Sequence, residues 1–533
     1  MAVKPDINFA NDSDHKKLDK HSQELLKKEI SNELVVAVVG HVGSGTSQIA
    51  KQIGDLFLAA EFQVVHLKAR KIITDYSGIE ENLEGEKTVS FVETLQDAGD
   101  NLRRDSQDNA AVAKGLIVEI RRNRADATGV VLEDGEAVKP DGTKRVYILD
   151  SLRHPAEVEL LRGVYGDAFI LIGVVCYEDK RLARISKKYS DGGHGNARRF
   201  MERDAKAPEK YGQRVSDAFH LSDFFIDNSE DRNSEGGEPN KNWTISDDLK
   251  RLIQIISHEK IVRPNLSETA MYNAYGAKMR SACLSRQVGA SLIDNVGNLI
   301  STGANEAPRA GGGVYGEDSS DDHRCFQMDD AKCHNTFEQN LIIHDLLKTL
   351  FGDEVKDQEK VNDWSARIKK NTRLGGLLEF SRAVHAEMDA LTSAARIGHS
   401  TVGTRLFVTT FPCHFCARHI VAAGVDEVQY IEPYPKSHAY HLHGDAITSV
   451  AVGWVAPSSK QGDDKKVLFR PFTGVAPRMY RRAFLKNRDL KNSDTGKYEV
   501  SSPDWGSAWD IRGAGYLKLE AFLAEKSDEN ETK

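Results

Sequence analysis

The chain has 533 residues, 40% of them hydrophobic and 29% charged, with a formal net charge of −8. This composition fits a soluble globular protein of more than one domain and argues against a bulk polyanion binder. No apolar run is long enough for a membrane span, and the opening Met1-Ala2-Val3-Lys4 lacks the apolar core of a signal peptide. Six cysteines in so long a chain do not make a disulfide framework, so a reducing, cytoplasmic setting is expected.

Residues 1–30 are polar and charged and are expected to form a tail, with part of 14–30 as a solvated helix. Residues 34–39 read as a buried strand that runs into the turn Gly40-His41-Val42-Gly43-Ser44-Gly45-Thr46-Ser47. Strand, glycine-rich turn and helix in that order are the context of G-x-x-x-x-G-K-[ST], whose backbone N–H groups cradle phosphates. Thr46 stands where that pattern has lysine, which puts phosphoryl transfer in doubt. Further strands are expected at 63–67, 146–149 and 168–175 with helices between, which predicts a parallel sheet covered on both faces. Asp150, at the end of the third strand, is the candidate acid for Mg²⁺. Gly40, Gly43, Ser44, Gly45, Thr46, Ser47 and Asp150 are therefore the candidate nucleotide-binding residues of a P-loop-like domain. Binding for sensing or regulation, an active kinase or NTPase, and a degenerate scaffold are the competing readings.

Residues 228–242 read as an exposed loop, and the pattern changes near Pro264. The expected division is a P-loop kinase-like domain at 31–264 and a second domain at 265–533. In the second, a helix is expected at about 267–284, a hairpin at 289–293 and 298–302, and a long polar insertion at about 311–375. A helix at about 381–396, a strand at 405–410, a helix at about 413–423 and a strand at 427–432 follow. Residues 524–533 are expected to fray.

The segments Val384-His385-Ala386-Glu387 and Phe411-Pro412-Cys413-His414-Phe415-Cys416 form the arrangement H-x-E…P-C-x-x-C. That spacing is the signature of zinc-dependent base deaminases. Catalytic zinc wants three protein ligands and an open position, and nitrogen and thiolate donors suit it. His385, Cys413 and Cys416 supply them. Glu387 reads as the acid/base beside the metal rather than as a fourth ligand. Pro412 stands where a helix opens, and a helix N-terminus would stabilise thiolates.

Ser285-Arg286-Gln287-Val288-Gly289-Ala290, Gly303-Ala304-Asn305-Glu306, His385-Ala386-Glu387-Met388-Asp389-Ala390 and Phe411-Pro412-Cys413-His414-Phe415-Cys416 resemble the deoxycytidylate deaminase pattern. The resemblance implies a cytidine-deaminase-like three-layer α/β/α domain with Zn²⁺ at helix ends. It implies that Asn305 contacts the sugar, and Arg286, Tyr434 and the loop holding His438, His441 and His443 are further substrate-binding candidates. Together with the P-loop-like domain, nearly the whole chain resembles the bacterial anti-phage dCTP deaminases. That likeness implies deamination of dCTP, dCMP or both, depletion of dCTP during infection, an inhibitory small RNA as partner, and a homo-oligomer. Asp150-Ser151-Leu152-Arg153 looks like a stretch of nucleotide kinases, and Arg198, Arg199, Arg203 and Asp204 fall in a segment resembling a kinase lid.

Weaker signals are a second, structural zinc site from Cys283, Cys325, Cys333 and His334, and a basic cluster at Arg478, Arg481, Arg482, Lys486, Arg488 and Lys491 that would meet triphosphate or RNA. Cys176 reads as core. An enzyme editing cytosine or adenine within RNA or DNA is a rival, although no basic, aromatic-lined channel is apparent. A non-catalytic nucleotide- or RNA-binding switch is the other, and the intact Glu387 argues against it.

Overall fold

A computed structural model of the chain describes residues 31–79, 88–132, 135–207, 209–233, 238–241, 243–257, 260–352, 357–434, 437–459, 465–486, 490–499, 516, 517, 520, 521 and 523. The expected tail at 1–30, the frayed residues 524–533 and Arg488 lie outside them. The chain forms two compact units, one of residues 1–263 with 473–533 and one of residues 264–472. The second unit is thus an insertion in the first. The expected second domain running to residue 533 is corrected: its compact unit ends at Phe472.

In the first unit β1 (Glu33–Val39), β2 (Gln63–Lys68), β3 (Arg145–Asp150), β4 (Phe169–Val175) and β5 (Phe224–Asp227) pair in parallel. β1 and β4 are buried throughout and apolar except for Glu33, as parallel strands with both faces covered must largely be. The central β1 lies between β4 and β3, and Val38 is in register with Asp150. That register brings Asp150 beside the glycine-rich turn after β1.

Described residues after Phe472 explain why the chain returns to the first unit. Val475 pairs antiparallel with Phe224 of β5, and Glu520 is fully buried against Arg124. Arg124 also donates to Glu33 Oε2 at 2.7 Å, and Glu33 Oε1 accepts from Arg145 at 2.6 Å. Tyr165 donates its hydroxyl to Glu520 Oε1 at 2.6 Å. A buried chain of alternating charges therefore ties the C-terminal segment to the first strand.

The second unit contains β6 (Gly289–Ile293), β7 (Leu299–Ala304), β8 (Arg405–Thr410), β9 (Glu427–Glu432), β10 (Ile447–Thr448) and β11 (Val467–Pro471). The order is β10-β11-β9-β8-β6-β7, antiparallel at β6 and parallel elsewhere. Two glycines set the layers. A Cβ on Gly289 would lie 2.0 Å from the Ala274 carbonyl oxygen of helix Leu266–Lys278, and one on Gly303 the same distance from the Ala386 oxygen of helix Ala386–Arg396. Gly289 pairs with Ala304, the neighbour of Gly303, so the two glycines face opposite sides of the sheet. One helix therefore covers each face, and the molecule is a mixed α/β protein with two sheets.

Helix Leu266–Lys278 is shorter than expected and opens with a capping box between Asn265 and Glu268. The insertion is more ordered than its polarity suggests. Helices His334–Phe351 and Gln358–Asn371 pack around their own small core of Ile343, Leu347 and Val361. Among the described residues, no helix is long and apolar enough to cross a membrane.

Candidate active site

Two helix starts build the site. His385 is the N-cap of helix Ala386–Arg396 and Cys413 the N-cap of helix His414–Ala422. The expected helix start at 381 is corrected: Val384 is held extended by a backbone bridge to Glu306, which also fixes the entry of His385. Pro412 likewise precedes the cap instead of occupying the first helical position. The Cys413 sulfur, facing the helix N-terminus, accepts from the Cys416 N–H at 3.5 Å.

His385 Nδ1 lies 3.3 Å from Cys413 Sγ and 3.4 Å from Cys416 Sγ. These three donor atoms lie within 4.8 Å of one another, which is what a small tetrahedral cation needs. Hydrogen bonding from Cys416, then from His385, holds the Cys413 thiol down at about 4. The same hydrogen bond, with burial, pushes Cys416 well up. Burial disfavours the charged form of His385, but its hydrogen bond with Cys413 and the Glu387 carboxylate win and raise it to about 9. Glu387 is 4% exposed, and burial lifts it to about 7. A carboxyl at that value exchanges a proton readily at neutral pH.

A cavity of about 130 Å³ opens over these residues. His385, Glu387, Cys413, Asn305, Arg286 and Tyr434 all line it. The structure thus brings Asn305, Arg286 and Tyr434 together at the cavity, while His438, His441 and His443 are not among its lining residues. Asn305 has a structural task there: its Oδ1 accepts from the Val288 N–H at 2.6 Å, and its Nδ2 donates to the Arg286 carbonyl at 2.5 Å. The Arg286 guanidinium sits 5.4 Å from the Tyr434 ring centroid, a cation–π pair at the cavity wall. His438 caps the short helix Ala439–His443, which carries His441 and His443.

Sequence reasoning missed several contributors. Glu306 is buried, and its carboxylate accepts from the N–H groups of Ala282 at 2.7 Å and Ala307 at 2.9 Å. Asp389 accepts from the Ala304 N–H at 3.1 Å, locking β7 to the helix of Glu387. Both acids stand inside the quoted motifs, so their positions were visible while their partners were not. The insertion also supplies wall residues, among them Cys325, His334 and Asn335, and Arg382 follows it.

The second zinc site is corrected. Cys283, Cys325, Cys333 and His334 line the same cavity, but among the described residues His385, Cys413 and Cys416 are the one converging group of three or more metal-capable side chains. Cys333 stands at the N-cap position of helix His334–Phe351 with no side-chain capping bond, and Cys325 lies beside Arg382 Nη1 at 4.0 Å. In the first unit, Gly40 and Ser44 are buried in the turn, while Gly43, Gly45, Thr46, Ser47 and Asp150 line a separate cavity. Asp204 departs from the lid reading: it is buried against that turn.

Residues 264–432 match the family model for the cytidine and deoxycytidylate deaminase zinc-binding region. The chain is 28% identical over 173 residues to the deoxycytidylate deaminase of Enterobacteria phage T4, covering 32% of this chain and 80% of the phage protein. It is 40% identical over 60 residues to ComE operon protein 2 of Bacillus subtilis, covering 11% of this chain and 31% of that protein. Among solved structures, the dCMP deaminase from cyanophage S-TIM5 in apo form is similar at 19% identity and a TM-score of 0.21, over 40% of this chain and 100% of that one. Residues 264–432 are thus similar to the zinc-binding region of these deaminases, and the His385, Cys413 and Cys416 donors fit Zn²⁺.

Proposed function

We propose that the second unit catalyses hydrolytic deamination of deoxycytidine nucleotides, dCTP, dCMP or both, to the uracil nucleotides and ammonia. The observation that carries this reading is the buried Glu387 beside the converging His385, Cys413 and Cys416 donors. Zinc bound there would supply a Lewis acid that makes water nucleophilic near neutral pH. Glu387 takes the proton that water loses on attacking C4 of the cytosine ring. It delivers that proton to the ring nitrogen, then takes the remaining hydroxyl proton of the C4 adduct and delivers it to the amine, so that the C4–O bond becomes a carbonyl as the C–N bond breaks and ammonia leaves. Burial of the carboxyl keeps its proton affinity matched to both transfers. Asn305 holds the Arg286–Val288 backbone in the wall where the substrate would lie.

The similarity to the phage deoxycytidylate deaminase supports a nucleotide substrate over a nucleic-acid strand. In the same reading, the whole-chain resemblance to anti-phage dCTP deaminases adds dCTP depletion as the biological outcome, a small RNA as the inhibitor and self-association. The test is a product assay with dCTP, dCMP and a cytosine-containing oligonucleotide, repeated after ribonuclease treatment. Conversion of a free nucleotide is expected. Conversion of the oligonucleotide alone would establish the strand-editing alternative.

A further inference from the structure

The glycine-rich turn takes no part in the deamination chemistry, yet it walls a cavity of about 510 Å³ in the first unit. Gly43 and Gly45 adopt φ of 84° and 86°, the left-handed region where a side chain is strained. A Cβ on Gly45 would also lie 2.4 Å from the Asn228 Nδ2 that donates to the Ser44 carbonyl. The turn is therefore built to bring its backbone close to the cavity, with the first N–H groups of helix Thr46–Ala59 lacking carbonyl partners in the helix.

The turn already holds an anion. The Val42 N–H donates to Asp204 Oδ2 at 2.8 Å, and Asp204 Oδ1 accepts from Arg153 Nη1 at 2.8 Å. A second, independent observation concerns the same wall. Gln96 is 4% exposed and its Nε2 donates to Gln213 Oε1 at 3.1 Å, but its own Oε1 is buried with no hydrogen-bond partner among the described residues. Leaving a buried acceptor unsatisfied costs about 1–3 kcal/mol, so an occupant that offers a donor is favoured there. Both glutamines line the cavity, with Ile73, Val92 and Leu95 as apolar wall and Arg184 and Lys188 as cations.

Backbone donors for an anion, an apolar surface and a paired amide edge are the complement of a phosphorylated nucleoside. We propose that this cavity binds a nucleoside phosphate, its phosphates on the glycine-rich turn and its base edge on the Gln96–Gln213 pair. Thr46 leaves the turn without the ammonium that reaches terminal phosphates, so the site binds without relying on phosphoryl transfer. This inference stands apart from the deaminase reading.

The test is isothermal titration of the full chain with ATP, GTP, dTTP and inorganic tripolyphosphate. Ser47 is exposed in the first turn of the helix, where an acid is tolerated, so Ser47→Asp preserves the fold while placing a carboxylate in the phosphate position. At least one nucleotide is expected to bind, and Ser47→Asp to weaken it tenfold or more. Gln96→Leu is expected to weaken the nucleotide at least fivefold while leaving tripolyphosphate within twofold. No binding of any nucleotide at millimolar concentration overturns the proposal, as does nucleotide binding unchanged in Ser47→Asp. Binding is read without turnover, so a failed deaminase assay leaves the result intact.

Discussion

Cys413 Sγ lies 3.3 Å from His385 Nδ1 although 28 positions separate the two residues. Two helix caps meet there, and Glu387 enters the same space one residue into its helix. His385→Ala and Cys413→Ala each remove a donor and are expected to lose zinc and activity together. Glu387→Gln removes only the proton carrier. Its turnover is expected to fall by about 10²–10⁴-fold with zinc content unchanged by elemental analysis. Zinc lost equally from all three variants would make Glu387 part of the metal's support instead.

Metal uptake should depend on pH with a definite sign. In the metal-free site at neutral pH His385, raised to about 9, and Cys416, raised further, hold protons, while Cys413, lowered to about 4, is ionised. Ligation requires every donor deprotonated, so zinc must displace the protons on His385 and Cys416. Apparent zinc affinity is then expected to rise between pH 6 and pH 8. Competition with a chromophoric chelator across that range measures it, and a flat profile would refute the assignment of protons.

Asn305 spends both ends of its amide on the backbone around Arg286 and Val288. Asn305→Ala is expected to cost about 1–3 kcal/mol of stability, from two partly buried hydrogen bonds. Because the freed strand end carries Arg286, KM for the nucleotide should rise more than kcat falls. Urea denaturation and steady-state kinetics on the same preparation check both parts.

Arg124 is shared between the buried carboxylates of Glu33 and Glu520. Arg124→Met leaves two carboxylates without their common cation, which is expected to destabilise the first unit by about 3–5 kcal/mol. Glu520→Gln, which keeps a hydrogen-bonding group in place, should cost less. Unfolding of the first unit followed by urea, with zinc content as the control for the second, separates the two.

The metal donors and Glu387 were legible because a reaction fixes residue types at fixed spacing, whatever surrounds them. The same holds for β8 and β9, whose limits match the expected 405–410 and 427–432. Boundaries set by distant partners were not legible. Helix Ala386–Arg396 starts late because Glu306, some eighty positions earlier, pairs with Val384. The two-residue strand Gly474–Val475 has no periodicity to read, and only its pairing with β5 reveals that the chain has returned to the first sheet. The insertion read only as a long polar stretch because its few core residues, Ile343, Leu347 and Val361, pack among themselves and others of its residues line the cavity.

The carboxylate of Glu520 closing on Arg124 has a consequence for biosynthesis. Residues 264–472 leave the ribosome as an uninterrupted stretch and have every strand of their own sheet in hand. The residues of the surrounding unit that precede it already include Arg124 and Glu33 but lack Glu520, the second carboxylate paired with Arg124, until the inserted stretch has been made. During that interval a nascent polypeptide exposes an unfinished, charged seam while the inserted unit is already complete, and chaperone demand should fall on the unit that surrounds the insertion.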